Sequence, residues 1–145
     1  MGTICFVILN YKTWREAAAC AESILKTQQG QDIRIVLVDN GSGNGSEESL
    51  REEFAGEKRV HVIASEKNLG FARGNNLGIR YARSHFEPDF IVAANSDIIF
   101  EQEDYCEKLW EIYKEERFDI LGGDIVDASP VSYTHLRAHE TSAHL

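Results

Sequence analysis

The sequence predicts an α/β fold, a mainly parallel sheet with helices on both faces. Three observations carry this. Short runs of branched apolar residues recur along the 145-residue chain, and they are continuous rather than alternating, as strands covered on both faces require. Segments with apolar residues at helical spacing lie between them. The runs also open into small polar residues, at Asn10-Tyr11, Asp39-Asn40-Gly41-Ser42 and Asn95-Ser96-Asp97. In a sheet of βαβ units, such loops gather beyond the carboxyl ends of the strands, where ligands bind.

The first strand is expected over residues 3–9, followed by a helix over 14–26 whose stripe is Ala17, Ala18, Ala21, Ile24 and Leu25. A second strand covers 33–38, interrupted only by Arg34. The glycine- and serine-rich loop after it leads to a short helix, for which Ser46 is the expected N-cap. Residues 60–64 form a third strand. Asn68 and Gly70 introduce a helix running to about Arg83, with Ala72, Leu77, Ile79, Tyr81 and Ala82 as packing positions. A fourth strand over 90–94 precedes an amphipathic helix over 105–116, with Leu109, Ile112 and Tyr113 inward. The acidic run from Glu101 to Glu107 suits the start of that helix. A fifth strand is expected over 118–121, running into Gly122-Gly123.

Composition narrows the class. A formal net charge of −9 disfavours nucleic acid as a partner, because phosphate neutralisation needs a basic surface. No apolar run approaches the ~20 residues of a membrane span, and no leader pattern precedes residues 4–9, so the expected location is cytoplasmic. Cys5, Cys20 and Cys106 lack metal or redox spacing and read as small buried hydrophobes. His61 and His85 have no partners in spacing.

The final stretch, PVSYTHLRAHETSAHL, has no periodicity and carries His135, His139 and His144. Residues 130–141 resemble the conceptual translation of a sequencing adapter. On that reading residues 1–129 are the natural part, 130–145 are a non-native tail, and the natural chain continues differently past about Ser129.

Three motifs carry candidate chemistry. In VDNGSGNGS, Asp39 closes an apolar strand, where a carboxylate can accept from a base imide N–H or a ribose hydroxyl, or cap the Asn40-Gly41 turn. Both readings stay open on spacing alone. The glycines there lack the third member of a dinucleotide fingerprint, which leaves a nicotinamide cofactor poorly supported. In NLGFARGNNLGIRYA, Gly70, Gly74 and Gly78 recur every four residues and make one helix face bare. Tight helix–sheet packing accounts for Gly78 and partly for Gly74, but not for Asn75-Asn76. The helix start near Gly70 suits a diphosphate. In ANSDI, Asp97 offers a hard oxygen for Mg²⁺ or Mn²⁺, which takes its other ligands from phosphates and water. A turn role for Asp97 is the plain alternative.

In order along the chain, VILNYK, IVLVDNGSGNGS, NLGFARGNNLGIRYA and FIVAANSDIIF resemble family 2 glycosyltransferases, most closely the rhamnosyltransferase-like branch. The resemblance covers residues 3–127. It implies a Rossmann-like GT-A fold that binds a nucleotide-sugar donor, dTDP- or UDP-linked. Asp39 matches the base-contacting aspartate, and Asn10 falls in the loop lining the same pocket. Asn76, with Asn75 and Gly70, matches the motif beside the nucleotide. Asn95 matches a position near the ribose or diphosphate, and Asp97 the metal-associated carboxylate. Asn95 stands where the commoner motif has a first carboxylate. The implied reaction is an inverting, metal-assisted sugar transfer to a cell-envelope glycan or lipid-linked acceptor, with peripheral membrane association of the whole protein. The family's general base lies beyond this stretch, so no catalytic residue is assigned and residues 1–129 alone are expected to be inactive. The rival from another class is a non-catalytic nucleotide-binding or assembly module on the same scaffold.

Overall fold

The computed structural model describes residues 2–119, 121–123 and 136–138. Four parallel strands form one sheet in the order β3-β2-β1-β4: β1 (Ile4–Asn10), β2 (Ile33–Asn40), β3 (Val60–Ser65) and β4 (Phe90–Asn95). Helices α1 (Trp14–Thr27), α2 (Ser46–Glu53) and α3 (Phe71–Phe86) connect them, and α4 (Tyr105–Glu116) follows β4. The chain lays down β1, β2 and β3 in one direction and then returns to place β4 on the other side of β1. The reversal leaves a crevice beyond the carboxyl ends of β1 and β4.

Strand alternation divides the core. Ile4, Phe6 and Ile8 with Ile33, Ile35 and Leu37 face α1, α2 and α4. Cys5, Val7, Val36 and Val38 face α3. Phe6, Ile8 and Leu37 are wholly buried, and each such side chain contributes about 1.5–3 kcal/mol by leaving water. Helices therefore cover both faces, as expected, with α3 alone on its side among the described residues. Among the described residues β3 and β4 are the sheet edges, and Ala93 on β4 is exposed. The three thiols are buried, and burial pushes Cys5, Cys20 and Cys106 up to about 12.

Several boundaries differ from the sequence expectation. The first two strands run on through Asn10 and Asn40, because Asn10 pairs in register with Asp39, and Asn40 with Ser65. Ser46 is the first residue of α2, not its cap. Gly45, left-handed at φ 85°, is the cap, while the Asn44 carboxamide oxygen accepts from Ser46 N and Oγ. Ala72 is exposed, because the two bare glycines, not Ala72, turn toward the sheet. Helix α4 starts at Tyr105, so residues 101–104 precede it. The fifth strand is short, β5 (Leu121–Gly123), and Phe118 lies before it, stacked instead on Phe90 with ring centroids 5.9 Å apart. Strand β6 (Leu136–Ala138) pairs antiparallel with β5 and falls within the stretch read as a non-native tail. The tail histidines His135, His139 and His144 lie outside the described residues.

The glycine face of α3 has a direct packing reason. A Cβ on Gly78 would sit 2.5 Å from Val7 Cγ1 and 2.7 Å from Val38 Cγ2. One on Gly74 would sit 2.7 Å from Leu9 Cδ1 and 3.0 Å from Asn40 Nδ2. Close backbone approach thus accounts for both glycines, more fully for Gly74 than the sequence suggested. On the opposite face, Gln28 ties α1 to α4. Its Nε2 donates to Gln102 O at 2.7 Å, and its Oε1 accepts from Cys106 N at 3.1 Å.

Candidate functional site

The polar strand ends meet at the carboxyl edge of the sheet. Asp39 and Asn10 are register partners on β2 and β1. Asn10 Nδ2 donates to Asp39 Oδ1 at 2.9 Å, and Ser42 Oγ donates to the same oxygen at 2.5 Å. Ser42 Oγ in turn accepts from Lys12 N at 2.7 Å, and Asn10 Oδ1 accepts from Thr13 N at 3.1 Å. The turn that brings Ser42 back depends on Gly41, at φ +69°, whose missing Cβ would overlap the Lys67 backbone. Lys12 adopts a left-handed φ of 64° to reach Ser42.

Asp39 is 4% exposed and lines a cavity of about 300 Å³ with Gly43, Ser46, Ser65 and Glu66. Its Oδ2 accepts no hydrogen bond from the described residues. Yet among those residues only Gln102 Oε1 and Trp110 Nε1 are enclosed without a partner. Oδ2 is therefore not sealed from solvent, and Asp39 is among the residues that line the cavity. A carboxylate so held is an acceptor presented in one direction, and removal from water makes a matching N–H worth more there than at the surface. Asn10 is wholly buried, and within the site its Nδ2 contacts Asp39.

A second polar node lies beside the first. Asn40 Nδ2 donates to Asn68 Oδ1 at 3.0 Å and to Gly70 O at 3.2 Å, while its Oδ1 accepts from Leu69 N at 3.0 Å. Asn68 Oδ1 also accepts from Gly70 N at 2.8 Å. Gly70 itself sits at φ 85° and ψ 172°, a conformation essentially confined to glycine. Asn40 thus anchors the start of α3, next to the loop whose Ser65 and Glu66 form a wall of the Asp39 cavity. Asn75 Nδ2 donates back to Phe71 O at 3.1 Å, and Asn76 is exposed.

Across the crevice, Asn95 ends β4 and Asp97 follows in a turn closed by Ile98 N donating to Asn95 O at 3.1 Å. Both side chains are exposed. The structure therefore brings Asn10 and Asp39 into one network and sets Gly70 beside it. It leaves Asn75, Asn76, Asn95 and Asp97 as separate polar groups around the mouth. No group of three or more His, Cys, Asp or Glu side chains poised for a metal occurs among the described residues. A single exposed carboxylate still suits Mg²⁺ or Mn²⁺, which relies on one or two carboxylates plus substrate phosphates. Asn40, Ser42 and Asn68 were not singled out from the sequence as site residues. The signal was available in Asn40-Gly41-Ser42, whose small polar side chains read as turn chemistry and conceal long-range bonds. Tyr11 and Phe71 are exposed at the same edge, Phe71 at 69%.

Comparison with known proteins bears on the family and the fold. The family model described as glycosyl transferase family 2 matches residues 5–143, a span that includes most of the stretch read as a tail. Glycosyltransferase GlyG of Streptococcus pneumoniae is 33% identical over 121 residues, 83% of this chain and 38% of that protein. The chain thus spans little more than a third of that relative's length. The S. aureus TarS 1–349 structure in complex with UDP-GlcNAc superposes with a TM-score of 0.69 at 17% identity, over 90% of this chain and 37% of that one. The mannosyltransferase PcManGT from Pyrobaculum calidifontis, in complex with GDP-Man and Mn²⁺, gives 0.67 at 13% identity, over 84% and 34%. At these identities the structures show that the fold is shared, and the expected transferase α/β fold is the one observed.

Proposed function

Because the chain belongs to glycosyl transferase family 2, we propose that residues 1–129 are the donor-binding part of an enzyme that moves a sugar from a nucleoside diphosphate to a glycan or lipid-linked acceptor. The observation that carries the reading is Asp39: a buried carboxylate beside a cavity at the strand ends, with one oxygen held by Asn10 and Ser42 and the other without a donor among the described residues. Such a group suits the base of the nucleotide. TarS binding UDP-GlcNAc and PcManGT binding GDP-Man support a nucleotide-sugar on this scaffold.

In this reading the start of α3, fixed by Asn40 and Gly70, faces the diphosphate, where free backbone N–H groups favour an anion. Asn76 and Asn95 flank the nucleotide. Asp97 would hold Mg²⁺ or Mn²⁺, which when bound neutralises charge developing on the departing diphosphate. The residues of this chain bind and orient. The proton on the acceptor hydroxyl falls to a carboxylate outside residues 1–129, and an inverting displacement needs acceptor, base and leaving group in one geometry. The rhamnosyltransferase-like branch and a cell-envelope acceptor rest on the motif series, as does work at the cytoplasmic membrane face. No helix among the described residues is long and apolar enough to cross a membrane.

Calorimetry of this chain with UDP-, dTDP- and GDP-sugars, with and without Mn²⁺, tests the donor role. Micromolar-range binding that falls on Asp39→Asn supports it. Absence of binding to every nucleotide, or indifference to that exchange, overturns it.

A further inference from the structure

The amino end of β4, opposite the crevice, borders a second cavity of about 250 Å³, lined by Asp89, Phe90, Trp110, Tyr113, Phe118 and Asp119. We propose that it receives an arginine side chain presented by a polypeptide partner. Its walls are aromatic and meet in corners. Phe90 stacks on Phe118, with centroids 5.9 Å apart and planes at 28°. Tyr113 stands nearly perpendicular to both, at 80° and 82°, and Trp110 meets Phe90 at 77°. Parallel rings so close admit nothing between them, so an occupant sits beside the pair. Trp110 is half-buried with its Nε1 enclosed, so its N–H is not what it offers there. Aromatic faces attract a cation within about 6 Å of the ring centroid. Arg117 already lies over Tyr113, 5.0 Å from the centroid.

The charges at the cavity have the matching sign. Asp89 Oδ2 accepts from Thr3 N at 2.9 Å, and its Oδ1 has no donor among the described residues. Asp119 accepts no hydrogen bond from those residues, and both carboxylates are exposed. Tyr113 belongs to the last turn of α4, where unpaired carbonyls make the helix end negative. Lys114 and Arg117 are the basic residues at that helix end, in a chain of net charge −9. An apolar occupant would draw two carboxylates partly out of water with nothing to pair them. A guanidinium answers both features at once: its flat face stacks on a ring while its edge donates to carboxylates. An ammonium is more strongly hydrated and has no flat face to stack.

The test is calorimetry of the whole 145-residue chain with N-acetyl-arginine methylamide and its lysine and norleucine counterparts. The arginine probe should bind at least about tenfold more tightly than the neutral norleucine probe, with lysine between them. The double exchange Asp89→Asn and Asp119→Asn should remove most of that ratio. It keeps the shapes, and the carboxamide oxygen at position 89 can still accept from Thr3 N. Tyr113→Leu, which leaves both carboxylates in place, should also reduce it. The ratio within one variant is the readout, so a general loosening of α4 cancels. Norleucine binding as tightly as arginine would make this a plain apolar cleft and overturn the proposal. A ratio untouched by Tyr113→Leu would mean that arginine answers only to the acidic surface, and would overturn it too. Lysine binding more tightly than arginine, or no binding by either cation, would do the same. Free L-arginine binding more tightly than the blocked form would overturn the polypeptide partner.

Discussion

Asn10 and Asp39 are register partners on adjacent parallel strands, yet their side chains meet head to head, Nδ2 to Oδ1 at 2.9 Å. Asn10→Asp puts a second carboxylate against the first and turns a donor into an acceptor. We expect a loss of about 3 kcal/mol or more near neutral pH, because like charges are forced together without water. Protonating either carboxyl relieves the repulsion, so the deficit relative to wild type should shrink as the pH falls toward 4. Urea unfolding of both proteins across that range is the measurement, and a deficit independent of pH would show that Asn10 acts only by filling space.

Gly74→Ala and Gly78→Ala should both destabilise, although alanine is the better helix former by about 1 kcal/mol. The new methyl on Gly78 meets two β-branched strand residues, Val7 and Val38, which cannot swing aside. Overpacking of this kind costs about 1–3 kcal/mol. Thermal melts should show Gly78→Ala as the worse of the two, because Leu9 beside Gly74 has a movable end. A neutral or raised melting temperature for Gly78→Ala would mean that α3 can lift from the sheet freely.

Asp97→Ala should leave the melting temperature within experimental scatter, since the side chain is exposed and accepts no bond from the described residues. Its effect should fall on the metal. Wild type should bind UDP or dTDP more tightly with Mn²⁺ than without, and the variant should lose that difference. Equal metal enhancement in both would return Asp97 to a turn role.

Acid should weaken one surface pair in a defined window. A hydrogen bond from the Arg59 side chain holds Glu57 down, from 4.5 to about 2. A carboxyl lowered on folding stabilises fully above its unfolded value, and the contribution is lost as the pH falls through the folded one. The window is therefore from 4.5 down to about 2. The pair is solvated, which limits its worth to about 1 kcal/mol or less. Glu57→Gln should flatten the stability profile within that window and leave the slope above it unchanged.

Deleting residues 130–145 should change neither the melting temperature nor nucleotide affinity. Among the described residues β5 and β6 pair over three residues, and so short a two-stranded ribbon contributes little in water. A clear loss of either property would show that the stretch belongs to the folded protein.

The sheet was legible because its strands spell themselves as near-continuous apolar runs, β2 being broken only by Arg34. The helix stripe of α1 was equally plain. Strand ends were not, since Asp39 and Asn40 continue a ladder with side chains that normally break one. Their reason is non-local: each bonds to residues 28 to 30 positions away, which no window of local spacing contains. The same limit hid Asn40 and Ser42 as site residues, while Asp39 stood out because a carboxylate after four apolar residues is conspicuous by itself. Phe118 was read as a strand residue because aromatic residues suit strands. It packs instead on Phe90 and Tyr113, a tertiary choice that local preference does not record.

Gln28 has a consequence for the order in which the molecule assembles. Its carboxamide bonds partners 74 and 78 residues further along the chain, after the whole of the four-stranded sheet has been laid down. Closing so long a loop is entropically costly until the intervening strands have already brought its ends together. Helix α4 is therefore expected to dock after the four-stranded sheet and to detach before it when the native state opens locally. Its backbone amides should exchange with solvent sooner than those of β1 and β2, and the buried carboxamide of the residue that ends α1 should set how much sooner.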